Sequence, residues 1–123
     1  MGVCQEVARA EYLKGVPMVK CVAVIVPVYN RADLVRLTIE SIGLQTFTDF
    51  HLYLIDDGST DGTPDVFDEF RHRPNISCIH KANAGQAAAL NTGIKAGNEP
   101  LIALCDADDI WRRSAGEMRQ CNN

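Results

Sequence analysis

The chain has 123 residues, 46% of them hydrophobic and 23% charged, with a formal net charge of −4. This is enough chain for one domain with a real core, and the acidic balance, with no basic patch or stripe, argues against a nucleic-acid partner. No run approaches the roughly 18 consecutive apolar residues of a membrane span, and the N-terminus has no apolar stretch of the signal-peptide kind.

Residues 1–19 read as a poorly specified leader, in which Val7, Ala8 and Leu13 offer the apolar surface of a short helix. Cys21-Val22-Ala23-Val24-Ile25-Val26-Pro27-Val28 is β-branched and nearly continuous, the pattern of a strand buried on both faces. Pro27 has no N–H for a ladder and is expected to end the regular pairing, with Tyr29-Asn30 at the strand's carboxyl edge. Residues 33–44 read as a helix with Leu34, Val35, Thr38, Ile39 and Ile42 on one face and Asn30 or Asp33 as its cap.

A second strand over 50–55 runs into Asp56-Asp57-Gly58-Ser59-Thr60-Asp61-Gly62, a loop of turn formers. Thr63-Pro64-Asp65 has the form of a helix start, with Thr63 as N-cap and Pro64 at the first helical position. That helix carries Val66, Phe67 and Phe70 and ends before Pro74. A short strand follows at 76–80, then a turn at Asn83-Ala84-Gly85. Residues 86–96 form an alanine-rich helix with Gly97 at its C′ position. The last strand, 101–105, leads into Asp106-Ala107-Asp108-Asp109.

Strands alternating with helices over short connections imply parallel strands, right-handed crossovers and helices on both faces. Ligands of such folds bind beyond the carboxyl ends of the strands. Tyr29, Asp56-Asp57 and Asp106-Ala107-Asp108-Asp109 all follow strands, so topology brings three separated polar motifs to one edge. Clustered carboxylates suit a hard divalent cation shared with phosphate oxygens; a solvated acidic turn or a helix cap is the plainer alternative. The five cysteines are widely spaced and odd in number, which reads as reduced thiols of a cytosolic protein, with Cys21, Cys78 and Cys105 as small buried hydrophobes. His51, His72 and His80 lack metal-ligand spacing and read as surface or strand-edge residues.

Taken together, Val26-Pro27-Val28-Tyr29-Asn30, Gln45-Thr46, Ile55-Asp56-Asp57-Gly58-Ser59-Thr60-Asp61, Asn83-Ala84-Gly85 with Ala89-Leu90-Asn91-Thr92-Gly93, and Asp106-Ala107-Asp108-Asp109-Ile110-Trp111 resemble glycosyltransferase family 2. The resemblance implies an α/β GT-A fold, Rossmann-like αβα layers around a mostly parallel sheet. It implies transfer of a hexosyl-type sugar, with inversion, from a nucleotide-diphospho-sugar donor, a UDP-sugar first, aided by Mn²⁺ or Mg²⁺. By the same resemblance Pro27 and Tyr29 line the nucleoside pocket and Asp57 accepts a hydrogen bond from the base imide. Asp56 supports that turn or contacts the nucleoside. Asn83 and Gly85 lie along the donor, Asn91 holds its helix against the site, Asp106 faces the ribose or sugar, and Asp108 and Asp109 take the metal. Against these roles stand plainer ones: Tyr29 as a strand-end aromatic packed on the next helix, Asp57-Gly58-Ser59 as a turn, Asn91 as helix surface and Trp111 as core. A haloacid-dehalogenase-like phosphatase also places D-x-D after a strand, but it wants a downstream lysine and acidic pair that the tail does not supply.

The resemblance covers residues 22–111, so 20–111 is expected to be the nucleotide-sugar-binding part and 112–123 an atypical tail. The family usually continues from Asp-Asp-x-Trp through a proline into a helix; here Arg112-Arg113-Ser114 follow. A one-base shift after the Arg112 codon allows, among the permitted codons, a Trp-Arg-Pro continuation, so the tail is expected to be out of frame or the gene truncated. The catalytic base and acceptor site, for a polysaccharide or lipid-linked glycan, are then expected beyond Asn123. The alternative function is a non-catalytic module that binds a nucleotide-sugar and metal. An exposed sheet edge with self-association, and a cytoplasmic location, peripheral at the inner face of a membrane, complete the expectation.

Overall fold

The computed structural model describes residues 5–8, 21–43 and 49–107. In chain order the elements are β1 (Gln5–Ala8), β2 (Val22–Val28), α1 (Ala32–Gly43), β3 (Phe50–Asp57), α2 (Thr63–Phe70), β4 (Ile76–Lys81), α3 (Gln86–Ala96) and β5 (Leu101–Leu104). They build a sheet in the order β1-β5-β2-β3-β4. Strands β5, β2, β3 and β4 run parallel, as the alternation of strand and helix requires.

Every residue of β2 is buried, which explains its unbroken apolar sequence. The side chains divide by strand period. Val22, Val24, Val26 and Val28, with Leu52 and Leu54 of β3, pack with Val35, Ile39 and Ile42 of α1 and Val66, Phe67 and Phe70 of α2. Ala23 and Ile25, with Tyr53 and Ile55, pack with Ala89 of α3. Helices therefore cover both faces. On the second face small residues let α3 lie close: a Cβ on Gly93 would sit 2.5 Å from Ile25 Cγ2.

Five expectations change. Gln5–Ala8, expected to be helical, is a strand antiparallel to β5, with Gln5 opposite Leu104 and Ala8 opposite Leu101. The outer edge of β5 offers a row of backbone donors and acceptors that a four-residue strand satisfies and an isolated short helix does not. Among the described residues the outer strands of the sheet are thus β1 and β4.

Pro27 ends the pairing on one side only. It stays in register with Ile55 of β3, while pairing with β5 stops at Ile25 and Leu104. Cys105 N–H donates to Ile25 O, so the groups of Ile25, and of Pro27 two residues on, point toward β5. The missing N–H therefore falls where β5 has already finished.

Thr63 is the first helical residue of α2, not its cap; Gly62 holds that position without a side-chain bond. Gly97 is extended, with φ −131. Space, not backbone freedom, selects glycine there, because a Cβ would strike the Tyr53 hydroxyl and the Glu99 carboxylate that accepts from it.

The thiols also differ from expectation. Cys78 is free, whereas Cys21 and Cys105 are disulfide-bonded. These two lie at opposite ends of the paired strands β2 and β5, too far apart to be bonded to each other.

Candidate functional site at the carboxyl edge of the sheet

The chain proceeds from β2 outward to β3 and β4, then crosses back to place β5 on the other side of β2. The order reverses between β2 and β5, and a crevice opens beyond the carboxyl ends at such a point. A cleft of about 360 Å³ lies there, lined by Pro27, Val28, Tyr29, Arg31, Asp57, Gln86, Asp106 and Ala107. Pro27, Tyr29, Asp57 and Asp106, which sequence singles out, come together in it. Tyr29 is 47% exposed, so its ring is presented to the cleft and not packed in the core.

Asp57, the last residue of β3, is buried, yet its carboxylate is fully engaged. Oδ1 accepts from Lys81 Nζ at 2.9 Å and from the Ala84 N–H at 2.9 Å. Oδ2 accepts from the Gly85 N–H at 3.0 Å and from Asn83 Nδ2 at 3.3 Å. Burial pushes the carboxyl pKa up, but the hydrogen bonds of Lys81, Ala84 and Gly85 and the Lys81 charge outweigh it and hold the value below the ordinary range. Asn83 and Gly85, expected along a donor, thus act on Asp57. They fold the β4–α3 loop onto it and start α3, where Gly85 takes φ 101. Gly58 serves the same junction: with φ 74, it has no room for a Cβ against Asn83 N.

Asp56 does not line the cleft. Its buried carboxylate accepts from the Ser59 N–H at 2.9 Å and meets His80 Nδ1 at 3.0 Å. His80 Nε2 faces Arg71 Nη2 at 3.0 Å. A guanidinium only donates, so Nε2 accepts, and the imidazole proton on Nδ1 goes to Asp56. Of the two roles expected for Asp56, this is the supporting one. Asn91 lies on the exposed side of α3, outside the cleft.

The loops after β2 and β3 are tied together. Asn30 takes the left-handed conformation, φ 52, which asparagine tolerates. Its Oδ1 accepts from the N–H of Thr60 at 2.8 Å and of Asp61 at 3.2 Å, and its own N–H donates to Ser59 Oγ at 2.9 Å. Asp61 answers in the other direction. Its Oδ2 accepts from the Ala32 N–H of α1 at 3.1 Å and its Oδ1 from the Thr63 N–H of α2 at 2.9 Å. One carboxylate therefore caps two helices, a role expected of Asn30 or Asp33 for α1 and of Thr63 for α2. Burial pushes the Asp61 pKa up, and the bonds from Thr63 and Ala32 bring it below the ordinary value.

Asp106 follows β5 and is exposed; its Oδ1 accepts from Gln86 Nε2 at 3.2 Å. Next to it, the Ala107 carbonyl accepts from the buried Thr38 hydroxyl at 2.5 Å, fastening this segment to α1. Asp108 and Asp109, expected to hold the metal, and Trp111 and Gln45-Thr46 lie outside the described residues. Among the described residues no cluster of three potential metal ligands is assembled. Arg31, Gln86 and Lys81 escape a reading by motif. What places them is topology: each sits at the carboxyl end of a strand or just after it.

Comparison with known proteins bears on the family and the fold. The model of the Glycosyl transferase family 2 matches residues 23–117. An uncharacterized glycosyltransferase of Rickettsia felis is 40% identical over 98 residues, 80% of this chain and 16% of the relative. Mannosyltransferase PcManGT from Pyrobaculum calidifontis, solved in complex with GDP-Man and Mn²⁺, superposes with TM-score 0.69 at 29% identity, over 77% of this chain and 29% of that one. S. aureus TarS 1–349 in complex with UDP gives TM-score 0.69 at 26% identity, over 76% of this chain and 29% of that one. This chain therefore spans well under half the length of these relatives.

Proposed function

The chain belongs to glycosyltransferase family 2, and from that premise we propose that its cleft is the donor site of an inverting sugar transferase that uses a nucleotide-diphospho-sugar, a UDP-sugar first. The observation that carries the reading is the meeting of Pro27, Tyr29, Asp57 and Asp106 at the switch point of a parallel sheet. The complexes of two solved relatives, one with GDP-Man and Mn²⁺ and one with UDP, support it.

In this reading the Tyr29 ring faces the planar base and Pro27 closes the pocket behind it. The base imide N–H donates to Asp57. Both Asp57 oxygens already hold two donors, so the imide replaces one of them. The Asn83 bond at 3.3 Å is the longest, and Asn83 Nδ2 keeps its 2.9 Å bond to Asp57 O when it yields. Asp106 faces the ribose or the sugar. Asp108 and Asp109, with phosphate oxygens, are a hard oxygen set of the kind Mn²⁺ or Mg²⁺ takes. Asp108 and Asp109 would hold such an ion, and the chemistry it would supply is neutralisation of charge on the diphosphate leaving group.

Deprotonating the acceptor hydroxyl requires a general base, and this reading assigns none among the described residues. The acceptor, a polysaccharide or lipid-linked glycan, belongs to that other half of the reaction. Asn91, exposed and outside the cleft, has no part in this reading. The reading includes self-association through a sheet edge; the expected cytoplasmic place, peripheral at a membrane's inner face, draws on reduced thiols, and the disulfide-bonded Cys21 and Cys105 remove that support. Among the described residues no helix is long and apolar enough to cross a membrane.

Calorimetric titration with UDP and UDP-sugars, with and without Mn²⁺, tests the proposal. Metal-dependent binding that disappears in Asp57→Ala and Asp108→Ala is expected. A folded chain that binds neither nucleotide nor nucleotide-sugar under any of these conditions sinks it.

A further inference from the structure

Lys81 is the last residue of β4 and ends beside Asp57, outside the set of residues that motif reading singles out. Its side chain is only 18% exposed and that of Asp57 6%, so the pair sits in a partly dry environment. An ammonium has three N–H donors. One goes to Asp57 Oδ1 at 2.9 Å and one to the Ala82 carbonyl at 2.7 Å. No described residue accepts the third. A lysine needed only to neutralise Asp57 would be satisfied by the carboxylate. Here the Ala82 carbonyl fixes the ammonium in one orientation as well, and a donor is left over beside the carboxylate that borders the cleft.

A carboxylate acceptor with an ammonium donor 2.9 Å away complements a ring edge that carries an N–H next to a carbonyl. Resting on the donor-site reading above, we infer that Lys81 is a specificity-determining residue: its third N–H donates to a carbonyl flanking the base imide while the imide N–H donates to Asp57. The ligand class is a base with an adjacent N–H and C=O, as on the imide edge of uracil. The Asp57–Lys81 pair reads two neighbouring atoms of that edge, and Tyr29 reads only the ring face.

Sulfur is a weak acceptor, so thio-substituted nucleotides isolate this contact. UDP, 2-thio-UDP and 4-thio-UDP are titrated against the unaltered chain, Lys81→Met and Lys81→Gln, with thermal melting to verify folding. One of the two thio-substitutions is expected to weaken binding to the unaltered chain about tenfold, the worth of one hydrogen bond to a charged donor. In Lys81→Met the same substitution is expected to cost nothing further, because the donor is already gone. In Lys81→Gln, which keeps an N–H, the sensitivity is expected to persist. Equal thio-sensitivity in the unaltered chain and Lys81→Met overturns the inference and leaves Lys81 as a counter-charge. So does an unaltered chain indifferent to both analogues, a result that does not depend on any variant folding. If UDP itself does not bind the folded chain, the donor-site reading has failed, and that outcome is distinct from either of these.

Discussion

Asp57 and Asp106 border the same cleft and are used in different ways. Asp57 is buried at the end of β3, its two oxygens taken up by Lys81, Asn83 and the backbone of Ala84 and Gly85. Asp106 is exposed beyond the end of β5, beside the first residue of α3. The first carboxylate builds the loop that a ligand would meet. The second is presented on a segment whose backbone is fastened from behind by Thr38. A motif residue at a strand end therefore does not have to be a ligand contact first. In this molecule the Asp56-to-Asp61 loop is mainly a frame, tied through Asn30 to the segment that carries the exposed Tyr29 and Arg31, while Asp106 is held apart from it by Gln86 and by the Thr38 bond to Ala107.

The contrast is broken or sharpened most by Asp57→Ala. It strands a partly buried ammonium and frees the β4–α3 loop, and is expected to cost about 3 kcal/mol in urea unfolding. A loss under 0.5 kcal/mol would mean that the frame does not depend on Asp57. Next is Asp61→Ala, which removes the cap of α1 and that of α2 together. At about 1 kcal/mol per cap, a loss of about 2 kcal/mol is expected, whereas Thr63→Ala, which leaves the Asp61 carboxylate in place, costs less.

Acid supplies a third comparison. Asp57 and Asp61 have folded pKa values below their unfolded ones. Their stabilisation is complete above the unfolded value, about 3.9, and is lost as pH falls through the depressed folded values. Stability measured between about pH 5 and 2 should fall less steeply in Asp57→Asn and Asp61→Asn than in the unaltered chain. Identical slopes would mean that the two carboxylates are not held low. The smallest effect belongs to Asp106→Ala, expected to change stability by under about 0.5 kcal/mol while weakening UDP binding. A large loss of stability there would erase the distinction between the two carboxylates.

Most of the architecture was legible in the sequence because parallel strands buried on both faces are apolar throughout, and β2 is such a strand. The helices were legible to within a residue or two, since Val35, Ile39 and Ile42, like Val66 and Phe70, recur at helical spacing. The meeting of Tyr29, Asp57 and Asp106 followed from the rule for carboxyl ends. What was not legible depends on partners distant in sequence. Strand β1 exists because β5 offers an edge, and Gln5–Ala8 alone has little strand character. Asp61 caps a helix whose first residue lies 29 positions earlier, which no local capping pattern records. The His80–Asp56 and Lys81–Asp57 pairs join neighbouring strands β4 and β3, and only their register puts them side by side. The disulfide-bonded Cys21 and Cys105 lie in spacings that suggested free thiols.

The Asn30 amide oxygen has a consequence for time as well as for shape. It holds the N–H groups of Thr60 and Asp61, both in an exposed loop where amides ordinarily trade their protons with water quickly. Here exchange must wait until Asn30 lets go, and Asn30 is itself held through its own N–H to Ser59. The loops after β2 and β3 should therefore open as one unit, with shared protection factors at Asn30, Thr60 and Asp61. A ligand entering beside Tyr29 would then meet a rim already set, and its arrival would be felt as slower exchange across the whole clasp.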